Sequence, residues 1–216
     1  MAVSPARGYV TRQKMNEAKR YSLLSYAPAV VLLAAVLTDG IQHGGNDLWM
    51  HIRFGQNVLD HRELLRHDIY SYSAPGASWL NHEWLADVVM AWCYDQAGVI
   101  GLKLMKFGCA AAIAILIAAG VGETDAAYPI QVGTLLAVAL AIMLQVQFRP
   151  QIFDYILLAA LLLILNREVR DRHARIWPAV PVMALWANLH GAFVTGGAVL
   201  AMYTCGAGAQ DLLTGL

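Results

Sequence analysis

Apolar runs of roughly bilayer length recur along this chain, and no other feature limits its fold as much. LKLMKFGCAAAIAILIAAGV occupies 102–121, and FDYILLAALLLIL occupies 153–165. A spanning helix needs roughly 20 mostly apolar residues. On that measure spans are expected at about 21–41, 99–121, 128–146, 148–165 and 176–193, with a glycine-weakened sixth at 194–213. Composition agrees: 58% of the 216 residues are hydrophobic and 14% charged, with a mean hydropathy of +0.50. A soluble domain is nearer 45–50% apolar and about 25% charged. The expected fold is therefore all-α, a polytopic membrane helical bundle of about six transmembrane helices.

Orientation follows from Lys and Arg in the short connections. Arg7, Arg12, Lys14, Lys19 and Arg20 precede the first span, and Arg167, Arg170, Arg172 and Arg175 separate the fourth from the fifth. Six spans put both groups on one side, expected to be the cytoplasm. The implied location is the bacterial inner (plasma) membrane, with a cytoplasmic basic flank at 1–20 and one membrane domain at 21–216. The first span is expected to remain as a signal anchor. Zero net charge and a pI near 7.0 argue against a nucleic-acid partner. Cys93, Cys109 and Cys205 show no metal-ligand or disulfide spacing.

The opposite face receives a long non-cytoplasmic loop, 42–98, too long for a plain connector. Asn46 can cap a helix starting near Asp47, with Leu48, Ile52 and Leu59 on one stripe. Ser, Pro and Gly at 73–76 mark turns, and a second amphipathic helix is expected over 81–96. Trp84, Leu85, Val88 and Trp92 share its apolar side. Both helices suit the membrane interface. Asp47 and His51 are four apart, as are Glu83 and Asp87, so each pair shares a helix face.

NDLWMHIRFGQ, DIYSYSAPGASWLNHEWLADVV, FRPQIFDY and WANLHGAF together resemble a group of bacterial multi-pass proteins related to GT-C-type glycosyltransferases. The resemblance runs from about Asp47 to Phe193. It implies sugar transfer from a polyprenyl-phosphate sugar at the outer membrane face, with Asp47 in the place of the acidic residue that follows the first span. His51, His82, Glu83, Arg149, Gln151, Asn188 and His190 are its implied neighbours. Gly45 stands where a further acidic residue is expected, and Met50 where a second Trp is expected.

In such chemistry a carboxylate removes the acceptor's proton while the leaving phosphate is stabilised. Asp47, His51 and Glu83 are the catalytic candidates; His82, Arg149, Gln151, Asn188 and His190 are the substrate-binding ones. Arg149 suits a phosphate, and equally a lipid headgroup or a pairing with Asp154 or Glu83. Asn188 and His190 also fit a structural role, fastening the fifth span to the outer loop. Asp47, His51, His82 and Glu83 form a weak candidate set for a divalent metal ion if they converge. The family usually carries nine or more spans, so a second expectation stands beside the first: a non-catalytic scaffold, an accessory subunit packed against other subunits of a larger membrane complex through small-residue helix surfaces.

Overall fold

The computed structural model describes residues 47–214 other than 125, 146 and 171–174, together with 27, 30, 31 and 34. The basic flank at 1–20, most of the first expected span at 21–41, the Asn46 cap and residues 171–174 lie outside the described residues. Among the described residues the chain is all-helical, apart from one isolated antiparallel bridge between His67 and Ser78. The helices are α1 (Leu48–His61), α2 (Trp84–Gly122), α3 (Tyr128–Gln145), α4 (Gln151–Arg170), α5 (Ala179–Leu189) and α6 (Phe193–Thr214).

α1 starts at Asp47, whose side chain makes no capping hydrogen bond and so stays available for other work. Leu48, His51, Ile52 and Gly55 form its buried stripe. Leu59, expected on that stripe, is exposed. The stripe lies against the first half of α2. There Ala86, Asp87, Met90 and Ala91 are fully buried, whereas Trp92 is exposed. Trp92 thus stays off the seam, which Ala86, Asp87, Met90 and Ala91 fill. The seam is close enough to demand glycine at 55, since a Cβ there would collide with the Asp87 carbonyl and lie 2.7 Å from the Ala91 Cβ.

α2 bends where the sequence separates an amphipathic segment from an apolar one. Ala97 leaves helical geometry, and Gly98 takes φ 56° with ψ −138°, a conformation side chains oppose. Beyond the bend, α2 is the one helix among the described residues long and apolar enough to cross a membrane. α5 and the apolar part of α3 are shorter, and α4 carries Asp154 near one end and Arg167 and Arg170 at the other.

α2 is also the packing axis. With α1 and the turn leading into α4 it buries Leu48, Ile52, Met90, Leu102 and Phe148. Cys109, Ala110, Ile113 and Ala114 pack on Ile152 of α4. Ala86 joins Leu157, Leu161, Leu165, Trp186 and Leu189 from α4 and α5. Lys106 is 1% exposed, with its ammonium 4.7 Å from the Phe148 ring centroid. Cation and ring face compensate part of that burial. Outward, Ile100, Leu104, Ile115, Ile130, Val180, Val194 and Met202 are exposed.

Candidate functional site

The N-terminal ends of α1, α2 and α4 meet the C-terminal end of α5, and polar side chains from all four collect there. His51 is the centre of the α1–α2 seam. Its Nδ1 donates to Asp87 Oδ1 at 2.7 Å, and Asp87 Oδ2 accepts from the Asn81 amide at 2.6 Å. Glu83 lies 4.0 Å from the same ring nitrogen, and Asp47 lies 4.0 Å from Nε2. Burial alone would push the His51 imidazolium down. The Asp87 hydrogen bond and the charges of Asp87, Glu83 and Asp47 outweigh it and hold the pKa above the ordinary histidine value.

That shift has a sign that can be measured. A folded-state pKa raised above the unfolded one stabilises the fold fully below the unfolded value, and the contribution fades as pH rises through the folded value. Thermal unfolding of the purified protein is expected to show declining stability from about pH 6.5 upward. Asp87→Asn, which removes the largest source of the upward shift, is expected to flatten that decline.

A second histidine continues the arrangement. His190, just past α5, sets Nδ1 2.6 Å from Asp154 Oδ2 and Nε2 3.1 Å from Glu83 Oε1. The Trp186 indole donates to Asp154 Oδ1 at 2.6 Å. Carboxylate and imidazole therefore alternate from Asp87 through His51, Glu83 and His190 to Asp154. Trp186 is a consequence of helix geometry: it is four residues before His190 and reaches the same carboxylate. It is 1% exposed, and Gly196 of α6 leaves room for its ring.

Arg149 closes the other end. Its Nε is 3.2 Å from Asp47 Oδ1, a pairing different from the expected Asp154 or Glu83. The two atoms are close but off the hydrogen-bonding line, so both are buried without a hydrogen bond, as is Gln151 Oε1. Such groups cost stability unless something satisfies them.

Asp47, His51, Glu83, Arg149 and His190 are thus gathered in one cluster, with Gln151 at the start of α4 beside it. His82 is on its rim, 62% exposed and 3.8 Å from Glu83. Asn188 is not part of the cluster. It accepts from the Trp84 indole at 3.0 Å and donates to the Ala184 carbonyl, fastening α5 to the start of α2. Among the described residues no three His, Cys, Asp or Glu side chains are arranged to hold a metal ion. Asp87, Asn81 and Trp186 are the members not selected from sequence. Asp87 had a signal, its i,i+4 spacing from Glu83; Asn81 is placed by a local contact to Asp87, and Trp186 by a contact between distant segments, to Asp154.

Comparison with protein-family models, with curated proteins and with solved structures returns no match.

Proposed function

We propose that the chain is a multi-pass inner-membrane transferase of GT-C-like character, moving a sugar from a polyprenyl-phosphate donor at the outer membrane face. The observation that carries this reading is the Asp47–Arg149 contact, which sets a carboxylate beside a guanidinium with hydrogen-bonding capacity left on each. A base and an anion receptor are the two groups the reaction needs next to one another.

Donor phosphate takes over Arg149, with Gln151 at its side, and releases Asp47 from its ion pair. Asp47 then accepts the acceptor's hydroxyl proton as that oxygen bonds to the anomeric carbon. The bond from this carbon to the phosphate oxygen breaks, and the electron pair leaves on the phosphate, held by Arg149. His51, anchored by Asp87 and held above the ordinary histidine pKa by its carboxylate neighbours, stands behind Asp47 with Nε2 4.0 Å from that carboxylate. Glu83 and His190 position the start of α2 against α4.

The membrane arrangement belongs to the same proposal. Outward apolar side chains on α2, α3, α5 and α6 support lipid contact. Arg167 and Arg170 end α4 opposite Arg149, which supports a cytoplasmic face there and a cytoplasmic N-terminus. A second reading, an accessory subunit of a membrane complex, is supported by α6, where Cβ atoms at Gly197, Gly206 and Gly208 would meet open space. Small residues let a neighbouring helix approach.

Extraction in mild detergent followed by mass spectrometry separates the two. The transferase is expected to carry a polyprenyl phosphate, retained by the parent chain and lost from Arg149→Ala. Recovery only within a larger assembly, with no such lipid, would overturn the proposal and leave the accessory reading standing.

A further inference from the structure

Three consecutive residues at the start of α2 meet the end of α5 in antiparallel order. His82 lies against Gly191, where an added Cβ would stand 3.3 Å from the ring. Glu83 Oε1 is 3.1 Å from His190 Nε2, and the Trp84 indole donates to Asn188 at 3.0 Å. The middle contact of the three is the ion pair. Its histidine is gripped from the other side by α4, with Asp154 Oδ2 2.6 Å from Nδ1. The Ala192 amide, 3.4 Å from Nδ1, is the farther neighbour of that nitrogen.

A neutral imidazole has one N–H and one lone pair, and an ionised carboxylate only accepts. Each ring nitrogen faces a carboxylate oxygen at hydrogen-bonding separation, so each contact needs a proton; a lone pair there would be repelled. The trio therefore holds one proton more than a neutral ring and two carboxylates carry, on the ring or on a carboxyl oxygen. The side chains of His190, Glu83 and Asp154 are 15%, 21% and 13% exposed, so solvent screens that repulsion only weakly.

We infer that Glu83, His190 and Asp154 form a proton-operated latch, which fastens the start of α2 to the end of α5 and releases it when the extra proton leaves. With one N–H left, the ring keeps the nearer oxygen, that of Asp154, which Trp186 also holds, and turns its lone pair on Glu83. The Glu83 contact then opens. Trp84 and Asn188, which do not titrate, remain as the pivot. The groups around the latch come from the same end of the fold. His51 of α1, paired with Asp87 of α2, is 4.0 Å from Glu83, and His82 is 3.8 Å from it. α5 has no charged residue, and the first in α6 is Asp211. The latch is a property of the fold and holds for a catalytic and a non-catalytic chain alike.

Hydrogen–deuterium exchange of the full chain in detergent micelles tests it, read by mass spectrometry over 188–195 and corrected for the intrinsic pH dependence of exchange. Between about pH 5 and about pH 8, protection there is expected to fall roughly tenfold, what one charge-assisted hydrogen bond supplies. That fall should exceed any over 102–121, which global unfolding would also lower. His190→Gln, which carries no titratable proton, is expected to show one level of protection throughout. Glu83→Gln is expected to stay protected at high pH, because its amide can donate to the lone pair of a neutral ring. His82→Gln, which removes the other imidazole at this seam, is expected to keep the parent's pH dependence. Where His190→Gln does not fold, the parent and the other two variants decide. The inference is overturned if protection of 188–195 in the parent is independent of pH, if its fall survives in Glu83→Gln, or if it vanishes in His82→Gln.

Discussion

On the proposed transferase reading, Asp47→Asn is expected to lower sugar transfer about 10²- to 10⁴-fold, the range a positioned general base supplies. The substitution keeps the shape of the side chain and removes only its capacity to take a proton. Asp47 makes no capping hydrogen bond and its side chain is about one-third exposed, so α1 is expected to stay in place. The loss should therefore appear in kcat. The Michaelis constant for the lipid donor should stay level or fall, because Arg149 is relieved of its partner and meets the phosphate without first giving up an ion pair. Steady-state transfer assays on reconstituted protein give both constants. A raised Michaelis constant with unchanged kcat would assign Asp47 to binding rather than proton removal.

Asp87→Ala is expected to have the largest effect on stability. Asp87 is fully buried and joins α1, the turn before α2 and α2 itself, through His51 and Asn81. Without it the His51 Nδ1 and the Asn81 amide lose their partner at a buried seam. Removing one member of a buried charged pair costs about 3–5 kcal/mol. In a chain of this size that corresponds to a fall in Tm on the order of 10 °C. Asp87→Asn, which retains an acceptor for one of the two donors, should fall between Ala and the parent. Thermal unfolding followed by circular dichroism measures all three, and an Ala variant as stable as the parent would show that the seam is held by its apolar contacts alone.

Where helices begin and end was largely legible in the sequence, because apolar periodicity and Gly or Pro punctuation act locally. The break expected between 96 and 99 coincides with Ala97 and Gly98, and the expected helix over 81–96 corresponds to the first half of α2. The burial of particular faces was less legible. Leu59 and Trp92 are apolar yet exposed, whereas Asp87 and Lys106 are charged yet buried. Periodicity shows which residues share a face, but not which surface that face meets.

The amino-acid sequence by itself determined the helical class, the position of the bend, and the company of Asp47, His51, Glu83, Arg149 and His190 near one end of the helices. These follow from local chain chemistry and from the spacing between polar residues and apolar runs. Only the tertiary structure decided who pairs with whom: Arg149 with Asp47, His51 with Asp87, and His190 with both Glu83 and Asp154. It also moved Asn188 out of the cluster and brought Trp186 in. The physical reason is range. An ion pair is made or lost within about 4 Å, and separations that small between helices far apart in sequence are set by how closely their faces pack, here by Gly55 beneath the Asp87 carbonyl and Gly196 beneath the Trp186 ring.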